Sequence, residues 1–181
     1  MESVVDILND KGLLIESDGA LVVELDKASI AEAIGVGAVI FSDLKQHRKH
    51  DIDFDLETML QTEGETGPYV QYTFARANSV LRKSGKANSY LVEEVNDFEW
   101  EIVKELERFP QIIQQSAENL DPSIIAKYAV DLAQVFNSFY ANVHVLTDTT
   151  YKSYRIALIT CTTIVLKEAL RLLGMKAPEE M

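Results

Sequence analysis

Ile125, Ala129, Leu132, Phe136, Phe139 and Val143 recur at steps of three and four residues. Only an α-helix turns that spacing into one continuous apolar face, because a strand of period two scatters the same residues over both sides of a sheet. A stripe this bulky has to be buried against other helices, so a helical bundle is the fold to expect. Asp121 followed by Pro122 reads as the N-cap and first-turn pair that opens this helix.

A second stripe, Leu91, Val95, Phe98, Ile102, Leu106 and Phe109, predicts another helix whose acidic residues stay in solvent. Pro110 is expected to end it and to start a short helix through Ala117. Further helices are predicted from about Ser29 to Lys45, near Asp55 to Gln61, from Pro68 onward, and from a cap at Thr147 or Asp148 to Gly174. The last should bury Ile156, Ile159 and Thr163 or Ile164, with Cys161 packed as a small apolar group. Breaks are placed at HRKHDIDFD (47–55), GETGP (64–68), SGKANS (84–89), FP (109–110) and NLDPS (119–123).

Ahead of Ser29 the pattern changes. Residues 3–11 predict a short helix capped by Ser3 and closed at Gly12, and LLIESDGALVVEL predicts two strands turning at Asp18 and Gly19. An isolated hairpin is marginal in water, so this piece has to dock on something. The expected fold is mainly α: an antiparallel helical bundle over 29–181 with a small N-terminal helix plus β-hairpin over 1–28.

A formal net charge of -12 argues against nucleic acid if it is spread evenly, because phosphate binding needs local positive potential. It is not spread evenly. Glu93 to Glu107 holds seven acidic residues and one lysine, whereas Gly67 to Leu91 holds Arg76, Arg82, Lys83 and Lys86 with no acidic residue. A polyanion can meet the second region while avoiding the first. No apolar run is long enough to cross a bilayer, and MESVVDILND lacks the layout of a signal peptide, so a soluble, cytoplasmic protein is expected, with no membrane partner. Cys161 is the lone cysteine, which excludes an intrachain disulfide.

On a helix beginning at Pro68, Tyr69, Tyr72, Arg76 and Lys83 fall within an arc of roughly 60°, and Val70, Phe74, Ala77 and Leu81 form a separate apolar arc. Flat phenol rings beside a guanidinium and an ammonium are the pairing that holds unpaired bases and their phosphates. Tyrosines beside basic residues are more often core-edge groups with snorkelling neighbours, and this helix alone favours that plainer reading. Tyr140 and His144, four residues apart, share one edge of the long helix. They read equally as a boundary aromatic and a satisfied surface histidine.

His47 and His50 sit in a predicted loop without a third ligand, so no metal site is expected, and HRKH reads as a solvated loop able to touch phosphate. The sequence contains no glycine-rich phosphate loop, no G-x-S-x-G and no H-E-x-x-H, and its carboxylates lie in helix-surface runs. No catalytic residue is assigned.

GAVIFSDLK (37–45), DIDFD (51–55), EGETGPYVQYTFARANSVLRK (63–83), ERFP (107–110), IAKYAVDLAQVFNSFY (125–140) and LRLLGMKAPEEM (170–181) resemble, in that order, the C-terminal anticodon-binding domain of arginyl-tRNA synthetases. The resemblance spans about residues 30–181 and implies a helical-bundle domain that grips the anticodon stem and loop of arginine tRNA; a monomer is expected, and no DNA partner. Carried onto matching positions, the residues that contact or frame the anticodon are Tyr69, Tyr72, Arg76, Tyr140 and Met181. His144 stands where some members carry tryptophan, and joins them as the aromatic one turn on. Arg82 and Lys83 are expected as weak phosphate contacts.

KGLLIESDGALVVELD (11–26) resembles a stretch these synthetases carry within their catalytic region, yet it runs almost directly into IAEAIGVGAVIF. Residues 1–28 are therefore expected to be a remnant of that region, with a junction near Lys27 to Ile30. The H-I-G-H-type signature and a K-M-S-K-like block do not occur. What the resemblance implies is a noncatalytic piece of a class I aminoacyl-tRNA synthetase, an arginine-tRNA ligase, inactive alone. No cofactor is expected in this chain, ATP and magnesium being needed only by a full-length enzyme. The alternative is a truncated relative that acts as a protein-interaction module without binding RNA.

Overall fold

The structure is a computed structural model describing residues 14–17, 20–23, 25–52, 54–84, 94–146 and 151–181, with side chains from Lys27 onward. The helix expected over 3–11, the turn at Asp18 and Gly19 and the cap at Thr147 or Asp148 lie outside them. In chain order come β1 (Leu14–Ser17), β2 (Ala20–Val23), α1 (Leu25–Leu44), α2 (Leu56–Met59), α3 (Gly67–Ser84), α4 (Asp97–Asn119), α5 (Ser123–Asn142) and α6 (Lys152–Leu172). The mainly helical bundle is the architecture present.

The N-terminal part of the expected fold class needs correction in its bounds. No sheet layer enters the bundle: the only strands among the described residues are β1 and β2, which pair antiparallel with each other from Leu14–Val23 to Ser17–Ala20. Four residues per strand in a two-stranded ribbon build no core. Helix α1 starts at Leu25 and not at Ser29, so the expected junction at Lys27 to Ile30 falls inside a continuous helix.

α5 is the central helix, and every member of its stripe from Ile125 to Val143 is buried. One part of the core joins Phe41 of α1, Val70 and Phe74 of α3, Leu132 of α5 and Leu166 and Leu170 of α6. A second joins Ala77 and Val80 of α3, Ile102 of α4, Phe136 and Phe139 of α5 and Ile159 of α6. Helices α3, α5 and α6 thus run through both. α1 approaches α3 backbone to backbone at two glycines: a Cβ on Gly67 would lie 2.8 Å from the Gly37 carbonyl oxygen and 2.8 Å from the Phe41 Cβ.

The expected break at Phe109–Pro110 does not occur, and α4 runs through Pro110. Proline removes the N–H that would bond the carbonyl four residues earlier and crowds that turn. Tyr128 of α5 packs on the same stretch: its hydroxyl donates to the Glu105 carbonyl at 2.8 Å and its ring stacks on Phe109 at 5.4 Å. Burial of that phenol pushes its pKa up.

The start of α4 also differs from the pattern. Asn96 is its N-cap and forms a capping box with Glu99, each side chain accepting from the other's backbone N–H. Glu99 is then buried beside Arg155 of α6, whose Nε donates to it at 2.6 Å. With that carboxylate turned inward, the predicted stripe members Val95 and Phe98 are left exposed, while Ile102 stays buried; Leu91 lies outside the described residues.

α5 begins at Ser123 with Pro122 at the cap position. Asp121 still serves the helix start, accepting from the Ser123 N–H at 3.0 Å and its hydroxyl at 2.7 Å. On α6, Ile156, Ile159 and Thr163 are buried, but Cys161 and Ile164 face solvent, contrary to the expected packing of the thiol. Leu158, Thr162, Leu166 and Leu170 fill the inward face instead.

Candidate nucleic-acid interface

Helix α3 has two faces with different work. Val70, Phe74 and Ala77 go into the core, and Tyr72, Arg76, Arg82 and Lys83 line an open groove of about 560 Å³ together with Tyr140 at the end of α5, Leu146, Glu180 and Met181. Three distant parts of the chain meet there.

Arg76 sits at the centre. Its guanidinium carbon lies 4.7 Å from the centroid of the Tyr72 ring and 5.5 Å from that of Tyr140, so the cation is held between two phenols. Its Nη1 donates to the Asn137 Oδ1 at 2.7 Å and its Nη2 to the Tyr72 hydroxyl at 3.2 Å. Asn137 in turn donates through Nδ2 to the Thr73 Oγ1 at 2.9 Å and to the Tyr69 hydroxyl at 3.0 Å. The Thr73 hydroxyl closes the set on the Tyr69 carbonyl at 2.9 Å. Every hydrogen-bonding atom of the Asn137 amide is therefore used to fix α3 against α5, and the Arg76 plane is set before any ligand arrives. Tyr140 is backed by the buried Phe136 ring at 6.3 Å and 18°.

Exposure separates the aromatic residues. Tyr72 at 38%, Tyr140 at 43% and Met181 at 42% keep surface for a ligand. Tyr69 is only partly exposed, packs against the core, and its hydroxyl accepts from the Asn137 amide. It stands behind the groove and not on its wall. His144 is exposed but not part of the lining. The reason is local: α5 ends at Asn142 and Val143 is extended, so the one-turn relation of Tyr140 to His144 that the spacing predicted is lost.

The tail is positioned by defined contacts. After α6, Gly174 adopts a positive φ of 76°, and the Met175 N–H bonds back to the Leu170 carbonyl at 2.9 Å, a glycine-closed helix end. Met175 is buried, and the Gln71 amide on α3 donates to the Lys176 carbonyl at 2.8 Å. The chain then brings Glu179 and Glu180 to Arg82: Nη1 donates to the Glu179 carbonyl at 3.2 Å and Nη2 lies 3.3 Å from the Glu180 carboxylate. Lys83 is exposed, with no ion pair among the described residues. Sequence reasoning missed Asn137, which braces Arg76 from behind the lining, and Glu180, which is part of it. The first reads as a helix-interior polar residue and the second as tail, and nothing in their local spacing marks either.

The HRKH loop has a structural task at the other end of the bundle. Arg48 Nη1 donates to the Leu120 carbonyl at 2.7 Å, and His47 Nε2 lies 3.8 Å from Asp121, so the loop braces the α4–α5 turn, where Leu120 has a φ of 51°. Among the described residues no group of three or more His, Cys, Asp or Glu is placed to hold a metal ion, and no helix is long and apolar enough to cross a membrane.

Residues 70–181 match the family model described as the DALR anticodon binding domain, which is more than half of the chain, and the chain belongs to that family. Within it, the chain corresponds to the anticodon-binding region of arginyl-tRNA synthetases. It is 55% identical over 161 residues to the arginine–tRNA ligase of Lactococcus lactis subsp. cremoris, covering 86% of this chain and 28% of that protein. Arginine–tRNA ligase 1 of Bacillus cereus is 51% identical over 156 residues, again with 86% and 28% covered. The solved arginyl-tRNA synthetase of Thermus thermophilus superposes with a TM-score of 0.82 at 33% identity, over 97% of this chain and 30% of that one. The chain thus spans little more than a quarter of the length of the curated relatives it matches.

Proposed function

We propose that the groove between α3, the end of α5 and the tail reads the anticodon loop of an arginine tRNA. The observation that carries this reading is the convergence of Tyr72, Arg76, Tyr140 and Met181 on one open surface from three separated parts of the chain. Two half-exposed phenols offer faces to unpaired bases, the pre-set guanidinium between them offers donors to a base edge or a phosphate, and Lys83 supplies a further cation on the rim. Tyr69 acts from behind, through Asn137. His144 is proposed as an outlying contact reached only by a longer stretch of RNA. Residues 29–181 would carry the RNA-binding bundle and 1–28 would derive from the catalytic region, so that arginine transfer with ATP and magnesium belongs to a longer enzyme.

Titration of labelled arginine tRNA, and of the same tRNA with a changed anticodon, at low and moderate salt tests the proposal. Tighter binding of the unchanged tRNA, with affinity falling steeply as salt rises, is the expected result. Equal or absent binding of both moves the chain to the protein-interaction reading.

A further inference from the structure

We propose that Glu180 is a specificity-determining residue of this groove: its carboxylate occupies Arg82 where an RNA phosphate would sit, so that only RNA able to displace it gains that contact. The inference rests on the anticodon reading of the groove and adds a competitor built into the protein.

Arg82 is one of the cations that the basic stretch offers to the groove, yet both ends of its guanidinium are engaged by the tail, at 3.2 Å by the Glu179 carbonyl and at 3.3 Å by the Glu180 carboxylate. A carboxylate and a phosphate present oxygens of like charge to the same fork of donors, so they compete for it directly. The pair is exposed, Arg82 at 46% and Glu180 at 72% of their side chains, which keeps it weak enough to exchange. It persists because the tail is tethered. Met175 is buried and the Lys176 carbonyl is held by Gln71, only four residues before Glu180, so the carboxylate is delivered at high effective concentration. The Glu179 side chain is drawn the other way, 3.9 Å from Lys167 on α6, which leaves Glu180 as the carboxylate facing the groove. A ligand that merely approaches the basic face meets a neutralised Arg82. One whose backbone follows the groove past Tyr72 and Arg76 can exchange its phosphate for Glu180.

The test compares the parent chain with Glu180→Gln, each titrated with arginine tRNA across a salt series. Two- to fivefold tighter binding by Glu180→Gln is expected, the range of an exposed ion pair, because the RNA no longer has to displace a carboxylate from Arg82. Glu107→Gln, the same charge change on the exposed face of α4, should alter affinity by less than the Glu180 change. In an Arg82→Ala background Glu180→Gln should have no effect. Unchanged affinity in Glu180→Gln, weaker binding, or a gain that survives Arg82→Ala overturns the competitor while leaving the anticodon reading in place. A parent chain that binds no RNA brings down that reading, and this inference with it.

Discussion

α3 and α4 are successive amphipathic helices, and they satisfy their charged side chains in opposite ways. On α4 the polar face closes on itself: Lys104 pairs with Glu101 at 2.7 Å, Arg108 with Glu105 at 2.6 Å, and Gln114 donates to Glu118 at 2.7 Å, each within about one turn. On α3 the cations reach for partners remote in sequence, Arg76 for Asn137 and Arg82 for the tail. A face that satisfies itself within a turn needs no tertiary structure and announces only that it is solvated. A face whose cations depend on distant groups exists only once the bundle has closed, and that is the face with a groove.

The largest expected effect would come from the one place where α4 breaks its own rule. Glu99→Ala removes the carboxylate beside the buried Arg155 and half of the capping box, and urea unfolding should show a loss of about 2–4 kcal/mol. On the α3 side the cost should appear in binding: Tyr72→Ala and Tyr140→Ala should each weaken tRNA affinity by about 1–3 kcal/mol, with circular dichroism and unfolding midpoint close to the parent. Retained affinity in both would erase the functional half of the contrast.

Asn137→Ala should lower unfolding free energy by about 1–2 kcal/mol, since two hydroxyls and a guanidinium lose their partner, and should also relax anticodon discrimination. Asn137→Asp, which keeps an acceptor for Arg76, should restore more of the discrimination than of the stability. At the α4–α5 turn, Asp121→Ala should cost about 1 kcal/mol. The Ser123 hydroxyl, helped by Arg48 and His47 nearby, holds the Asp121 pKa below its ordinary value. Its contribution is then complete above the unfolded-state pKa and is lost as pH falls through the folded one, so parent and variant should converge in stability in the acid range below about pH 4. The smallest effect belongs to the self-satisfied face: Lys104→Ala should change stability by no more than about 0.5 kcal/mol, and less still at high salt.

The same contrast explains what could be read from the amino-acid order. Core stripes are local and periodic, so the α5 face was legible residue by residue, as was the division of α3 into an apolar and a basic aromatic side. The resemblance placed Tyr72, Arg76, Tyr140 and Met181 together, and spacing alone could not have joined a helix near residue 72 to a tail at 181. What escaped depends on contacts between elements. Pro110 signals a stop, yet α4 runs through it, packed there by the Tyr128 ring of another helix on Phe109. Glu99 reads as one more surface acid until Arg155 arrives from α6. The place of Cys161 depended on helix rotation: one position along α6, Thr162 points inward and the thiol does not.

Gln71 gives the bundle a further property. Its single amide nitrogen donates to the Ala33 carbonyl at 3.1 Å and to the Lys176 carbonyl at 2.8 Å, so the first long helix and the final segment share one anchor. Fraying at either should therefore be felt at the other. In hydrogen exchange the amides around Ala33 and those leading to Met181 are expected to lose protection as a unit, and a protease that nicks one will find the other easier to cut.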